Sequence, residues 1–352
     1  MAETSIEWVK NADGSQGLTW NPIRGCTRVS PGCGGPGPHG GCYAEGIAAR
    51  FSGPGQPYEG IAEMRGGKPR WTGRLAFVES ALDAPLRRRK PTTWFVNSMS
   101  DLFHEKVPEE WIAQVFAIMA LAPQHTFQVL TKRSARMCQI MAGPKDHSIW
   151  HPKLWHRSVL PNVWLGVSAE DQRRADERVP DLLATPAAVR FVSAEPLLGP
   201  IDFEAMPFSE GDPRHRWSAL TGQAIMHATG EDGHPDFTVR LTKPIRSRLD
   251  WIIVGGESGP NARPMHPAWA RQIRDACAVA GVPFLFKQHG AWIPEARGRD
   301  WAILDADGDL DIPDDRAPDE AAGEVAVTRV GKKAAGRLLD GVEHNGMPEV
   351  RP

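Results

Sequence analysis

The sequence predicts an α/β fold: a (β/α) barrel, partial or complete, with six to seven parallel strands in a TIM-barrel-like arrangement. Three observations predict it. Short apolar runs alternate along the chain with amphipathic stretches, as strands covered by helices do. The runs are apolar throughout, which suits strands buried on both faces. Each run also ends in polar residues, and that is where a barrel carries its site.

The elements follow in order. A weaker first strand lies at Leu18 to Ile23, followed by a cysteine segment and a helix from about Tyr43 to Phe51. Trp94 to Ser98, Thr126 to Leu130, Val163 to Ser168, Val189 to Ser193, Trp251 to Gly255 and Pro283 to Lys287 are rich in β-branched or aromatic residues and read as strands. Pro108 and Glu109 open a helix that sets Trp111, Val115, Ile118 and Met119 on one face. Asp171 to Ala184 and Pro267 to Ala280 are further helices, the second closed by Gly281. No internal repeat is evident beyond this alternation.

Polar side chains distinguish a barrel from an open sheet. Asn97, Ser98 and Asp101 follow one strand, and Thr131 and Lys132 the next. Ser168 and Glu170, Ser193 and Glu195, Gly255 to Glu257, and Lys287 with Gln288 follow the others. An open sheet would concentrate such residues at one switch point. Helix capping accounts for any one of them as well, but poorly for six coincident cases.

A barrel domain over residues 1–296 is expected, with a peripheral insertion at 203–248 that is rich in Gly, Pro, His and charge. Residues 297–352 form a C-terminal acidic hairpin and tail packed on it. Asp305, Asp307, Asp309 and Asp311 resemble a calcium loop, but Gly308 is displaced and Arg316 replaces the closing Glu, so a hairpin turn at Asp307 and Gly308 is predicted.

Lys and Arg number 41 against 43 for Asp and Glu, a net charge of -2 that argues against binding nucleic acid or membrane by bulk charge. Met1 to Lys10 lack an apolar signal region and no run of membrane-spanning length occurs. A cytoplasmic protein with no membrane partner is expected.

The five cysteines do not form a secreted disulfide framework. Cys138 and Cys277 sit alone in helical patterns, as buried small hydrophobes do. Cys26, Cys33 and Cys42 fall in one Gly/Pro-rich stretch with C-x6-C-x8-C spacing. Three thiolates can hold a [4Fe-4S] cluster with one iron left open for a substrate or cofactor. With His39 they could instead form a closed Cys3His zinc site, which would be structural only. A thiol cluster without metal is the third possibility. A loop after the first strand of a barrel, on the catalytic face, favours the cluster.

The strings SIEWVKNADG, LTWNPIRGCTRVSPGC, CYAEGIAARF, FVNSMSDLFHEKVPEEW, HTFQVLTKR, NVWLGVSAEDQ, RFVSAEPLLGPID, WIIVGGESGPNARPMHPAW and VPFLFKQHG resemble a phage-associated family of unknown function with a three-cysteine motif. That family is grouped with the radical S-adenosylmethionine (SAM) enzymes. The resemblance spans nearly the whole chain except the insertion and the acidic tail.

It implies a radical SAM barrel in which Cys26, Cys33 and Cys42 hold the cluster and its free iron chelates SAM. An electron donor reduces the cluster, SAM is cleaved, and a 5'-deoxyadenosyl radical attacks the substrate. The family spacing looks like C-x6-C-x2-C, so this chain carries extra residues within Gly34 to Gly41. By their place after the second and fourth strands, Asn97, Ser98 and Asp101 are expected at the methionine amino group, and Ser168 and Glu170 at the ribose. Glu195, Glu257 and Lys132 are the candidate catalytic groups, with Lys132 and Lys287 as counter-charges to the two acids.

Basic clusters such as Arg87 to Lys90 and 13 Trp are features that a nucleic-acid enzyme could use, although such runs are usually solvated faces and such Trp core residues; it is the phage association of the resembled family that implies a nucleotide or nucleic-acid substrate. Two other classes fit the sequence. One is a zinc-stabilised, non-catalytic nucleic-acid binding protein. The other is a metal-independent hydrolase built on Glu195, Glu257 and Lys132.

Overall fold

A computed structural model describes residues 4, 6–34, 41–142, 159–208, 215–229, 235–298, 301–312 and 316–349. Seven parallel strands form one sheet: β1 (Leu18–Trp20), β2 (Thr93–Val96), β3 (Thr126–Thr131), β4 (Val163–Ser168), β5 (Val189–Ala194), β6 (Trp251–Gly255) and β7 (Phe284–Gln288). They lie side by side in chain order, and every neighbouring pair is parallel. β1 and β7 are opposite edges that do not pair, so the sheet curls into a partial (β/α) barrel.

The strands alternate strictly between two cores, as their period of two demands. Trp94, Val96, Phe127, Val129, Leu165, Val192, Ile252 and Phe286 point outward into the layer shared with the helices. Phe95, Trp164, Val189, Phe191, Trp251, Ile253 and Leu285 point into the lumen. Gly166 is part of this arrangement, because a Cβ there would lie 2.5 Å from the Phe191 ring.

Five helices matter for the site: α1 (Tyr43–Arg50), α2 (Glu109–Leu121), α3 (Ser134–Ala142), α4 (Gln172–Ala184) and α5 (Pro267–Ala280). In α2 the buried stripe is Ile112, Val115, Phe116 and Met119. That stripe is rotated from the expected one, leaving Trp111 and Ile118 half-buried. Asp171 caps α4 by accepting from the Arg174 N–H at 2.9 Å, and Gly281 closes α5 in the left-handed region. Cys277 is buried on α5, as expected, whereas Cys138 on α3 is half-buried.

No helix stands between β5 and β6 among the described residues. Strands Met206–Pro207, His215–Trp217, Ala224–Thr229 and Pro235–Arg240 make an antiparallel sheet there. It packs Met206, Trp217, Ala219 and Leu220 on the same outer core that the helices cover.

The open seam of the barrel is filled by both ends of the chain. Trp8 enters the lumen, with ring centroids 5.0 Å from Phe95, 5.8 Å from Phe191 and 6.0 Å from Trp251. On the β7 edge, the Phe286 N–H donates to the His344 carbonyl at 3.0 Å and the Gly346 N–H to the Phe284 carbonyl at 2.9 Å. The expected hairpin is present: Trp301–Leu304 pairs with Leu310–Asp311. Its turn is closed by Asp305 Oδ1, which accepts from the N–H groups of Asp307, Gly308 and Asp309. Among the described residues no helix is long and apolar enough to cross a membrane.

Candidate functional site

Past β1, the short strand Ile23–Arg24 pairs with Ala76–Phe77, and Gly25, at a positive φ of 95°, follows it and leads into the cysteine loop. The segment Cys26 to Gly34 is then tied down by four arginine–carboxylate pairs drawn from different parts of the fold. Each pair also bonds the loop itself.

After β3, Arg133 donates to Asp101 Oδ2 at 3.0 Å and to Glu105 at 2.9 Å. Its remaining N–H groups reach the Thr27 carbonyl at 3.1 Å, the Thr27 hydroxyl at 2.9 Å and Cys26 Sγ at 3.8 Å. After β4, Glu170 takes one bond from Arg178 on α4 at 3.0 Å and one from the Gly32 N–H at 3.1 Å. A side chain at position 32 would collide with that carboxylate, since a Cβ there would lie 3.0 Å from Glu170 Cδ. After β6, Glu257 holds Arg263 in a bidentate pair at 2.8 and 2.9 Å, and Arg263 donates onward to the Pro31 carbonyl at 2.9 Å. On α1, buried Glu45 accepts from Arg28 at 3.0 Å, and Arg28 also donates to the Gly34 carbonyl at 2.8 Å.

Charge-assisted bonds of this kind are about twice as strong as neutral ones. Asp101, Glu170, Glu257 and Glu45 are almost fully buried, whereas Glu105 is exposed.

The two ends of the inserted stretch meet. A Cβ on Gly34 would stand 2.9 Å from the Gly41 Cα, and Gly34 has a φ of 87°, which an L side chain rarely adopts. Cys33–Gly34 therefore abuts Gly41–Cys42 as a C-x2-C pair would. Residues 35–40, including His39, lie outside the described residues. So the His39 reading of the loop falls on a residue without a described position.

All three loop thiols are free and half-buried. Burial and then the Asp101 carboxylate push the Cys26 thiol up to about 12, with Arg133 pulling the other way and Cys42 and Cys33 adding small increases. Burial also raises Cys42, with Cys33 contributing in the same direction. Thiols held protonated in this way are poor free nucleophiles. Among the described residues, no three His, Cys, Asp or Glu side chains are gathered as closely as metal ligands would be. By residue type the loop offers the donors of a soft metal or an iron–sulfur cluster, three thiols with no disulfide, of which Cys26 lies beside the Arg133 guanidinium.

The structure divides the candidate site residues into two groups. Asp101, Glu170 and Glu257 are committed to arginines and to the loop. Glu257 takes Arg263 as its partner instead of a lysine, whereas Glu195 does take Lys287, which Glu7 also approaches at 3.8 Å. Ser98 donates to Asn21 Oδ1 at 3.1 Å.

The other group is unengaged. Asn97, at a positive φ of 58° and 4% exposed, has no partner for either atom of its amide among the described residues. Buried Ser168 and Ser193 face each other in register, and neither hydroxyl is bonded among the described residues. The Lys132 ammonium makes no hydrogen bond or ion pair there either, and its charge helps to hold Glu170 low. Tyr43 lies open at the mouth, 58% exposed, with its hydroxyl donating to the Ser98 carbonyl at 2.6 Å.

Arg178, Arg263, Arg28, Arg133 and Ser193 are the residues that sequence reasoning did not assign. An acid just past a strand followed by an arginine 6 or 8 residues on, as in Glu257–Arg263 and Glu170–Arg178, is the signal that could have found two of them.

A family model described as "Protein of unknown function (DUF5131)" matches residues 3–348. The chain belongs to this family. The matched stretch takes in the cysteine loop, all seven strands and the antiparallel insertion, so the family is defined on the whole architecture described above. No curated protein and no solved structure matches the chain.

Proposed function

We propose that this member of the family is an iron–sulfur enzyme of the radical SAM type, with Cys26, Cys33 and Cys42 as the cluster ligands. The observation that carries the proposal is the cysteine loop itself. Its neck closes at Gly34 and Gly41, and four arginine–carboxylate pairs hold it over the strand ends of a partial barrel. A protein that used this loop only as a structural zinc knot would gain nothing from placing it there.

When bound, a [4Fe-4S] cluster with one open iron supplies the electron that cleaves SAM. The chain's own residues bind and orient. Asn97, with a buried unpaired amide just past β2, and Ser168, in register with Ser193, are assigned to SAM. An unpaired buried amide costs about 1–3 kcal/mol until a ligand satisfies it. Asp101 and Glu170 act through the loop, as positioning residues. Glu257 belongs with them. Glu195 and Lys132 are the candidate groups for handling protons on the substrate side, Glu195 through its pair with Lys287. The Lys132 ammonium and the exposed ring of Tyr43 support a nucleotide or nucleic-acid substrate.

The test is anaerobic reconstitution followed by iron and sulfide analysis and a dithionite-driven assay for 5'-deoxyadenosine from SAM. Production of 5'-deoxyadenosine that is lost in Cys26→Ala supports the proposal. A colourless, zinc-loaded protein that never cleaves SAM refutes it and favours a zinc-stabilised binding protein.

A further inference from the structure

We infer that Lys132, Ser168 and Ser193 form a phosphate site inside the barrel mouth, and that the substrate is a free nucleotide whose phosphate enters the lumen. This rests on the nucleotide part of the proposed function and not on its metal. The three residues make one row. Ser168 and Ser193 stand in register on β4 and β5, and Thr131 pairs with Val167, so Lys132 comes beside Ser168 just past the end of β3. The alternation that points Trp164 and Phe191 into the lumen points Ser168 and Ser193 there as well. Neighbouring strands lie about 4.8 Å apart, so a lysine side chain spans the row. One row below, Phe191 pairs with Gly166 and Trp251, and the Trp8 ring lies 5.8 Å from Phe191 and 6.0 Å from Trp251. These rings close the lumen beneath the serines.

The donors of the row are unclaimed among the described residues. Ser168 and Ser193 are 1% and 2% exposed, and neither hydroxyl is bonded. The half-buried Lys132 ammonium has no ion pair, whereas the acids past the strand ends already have partners: Asp101 has Arg133, Glu170 has Arg178, Glu257 has Arg263 and Glu195 has Lys287. One uncompensated cation beside two buried hydroxyls suits an anion. Phosphate fits better than carboxylate, because lysine is a point charge that serves a tetrahedral group from any side, while planar carboxylates are met by the fork of arginine, as at Glu257. A duplex or a continuous strand cannot bring its backbone down to buried serines, which selects a free nucleotide. A hydroxyl both donates and accepts, so Ser168 serves the phosphate as donor and a ribose hydroxyl of SAM as acceptor. Lys132 becomes a binding group, which leaves proton handling to Glu195.

The test is calorimetric titration of the full chain, as purified, with the common ribonucleoside 5'-monophosphates, the matching nucleosides, inorganic phosphate and a short single-stranded oligonucleotide. At least one monophosphate is expected to bind about tenfold or more tightly than its nucleoside, with inorganic phosphate competing, since a hydrogen bond to a charged group is worth about that factor. Lys132→Gln and the double variant Ser168→Ala/Ser193→Ala are each expected to weaken that monophosphate about tenfold and to leave its nucleoside unchanged. Lys132→Arg, which keeps the charge, is expected to retain most of the affinity. Lys68→Gln, the same loss of charge at an exposed position outside the row, is expected to bind as the wild type does.

Equal affinities for every monophosphate and its nucleoside overturn the inference, as does an unchanged affinity in Lys132→Gln or an equal loss in Lys68→Gln. An oligonucleotide that binds more tightly than every monophosphate overturns the free-nucleotide assignment. If Lys132→Gln does not fold, the serine double variant decides, and its unchanged affinity overturns the inference equally. A chain that binds phosphate through Lys132 but carries zinc and makes no 5'-deoxyadenosine overturns the proposed enzyme alone. A chain that makes 5'-deoxyadenosine and ignores every nucleotide overturns this inference alone.

Discussion

Replacing Arg178 by alanine isolates one clamp. Glu170 is 0% exposed and has Arg178 as its ion-pair partner at 3.0 Å, so the substitution leaves a buried carboxylate with only the Gly32 N–H and the more distant Lys132 charge to offset its burial. Removing one partner of a buried pair costs about 3–5 kcal/mol, a large fraction of the 5–15 kcal/mol that holds a typical domain.

The sign of the pH dependence follows from the same geometry. In the wild type, burial pushes the Glu170 carboxyl up, but Arg178, Lys132 and the Gly32 N–H together outweigh it and hold the group below its ordinary value of 4.5. Its contribution to stability is therefore fully present above pH 4.5 and is lost as pH falls through the lower folded value. In Arg178→Ala the burial is left with less opposition, so the penalty is greatest at pH 7 and shrinks as the carboxyl takes up a proton.

The double variant Glu170→Leu/Arg178→Met replaces the pair with apolar side chains. It should recover most of the stability while leaving the Gly32 N–H without its acceptor. Urea unfolding followed by tryptophan fluorescence at pH 7 and pH 5 reads all three proteins. A loss below about 1 kcal/mol for Arg178→Ala at pH 7, in the range of a surface ion pair, would refute the reasoning.

Three further outcomes follow. Asn97→Gly keeps a φ of 58° that glycine adopts freely and removes a buried amide that has no partner, which offsets the added freedom of the unfolded chain, so its melting temperature should hold while SAM binding by calorimetry weakens. Gly166→Ala drives a methyl group into the Phe191 ring and should cost about 1–3 kcal/mol in the same melts, with no direct effect on the cysteine loop. Deleting residues 35–40 joins Gly34 to Gly41 where they already meet, so the shortened chain should fold and load metal to the wild-type level; loss of metal would show that the inserted stretch supplies a ligand.

The strands were legible because burial on both faces leaves continuous apolar runs, and six of the seven lie where those runs predict. β1 is the weak one: its apolar residues are interrupted at Asn21 and Pro22, and the strand ends at Trp20. The helix caps at Asp171 and Gly281 were legible for the same local reason. The antiparallel sheet between β5 and β6 was hidden, because its Gly, Pro and charged residues read as a loop and its buried Trp217 stands among them.

At the site, the residue types and their positions past the strands were visible, but their division of labour was not. Glu170 meets Gly32 across 138 residues and Arg263 meets Pro31 across 232, distances over which no periodicity carries information. Asp101, Glu170 and Glu257 therefore look like ligand-binding acids in the sequence, whereas in three dimensions they are the supports of the loop. Asn97 and Ser168 look equally polar and are the ones left free.

The most direct measurement is the metal and sulfide content of the anaerobically purified chain, beside Cys26→Ser, Cys33→Ser, Cys42→Ser and His39→Ala. About four irons and four sulfides per chain, lost alike in each serine variant and kept in His39→Ala, are predicted for a three-thiolate cluster with an open iron. One zinc per chain, released by His39→Ala as readily as by the serine variants, would contradict it.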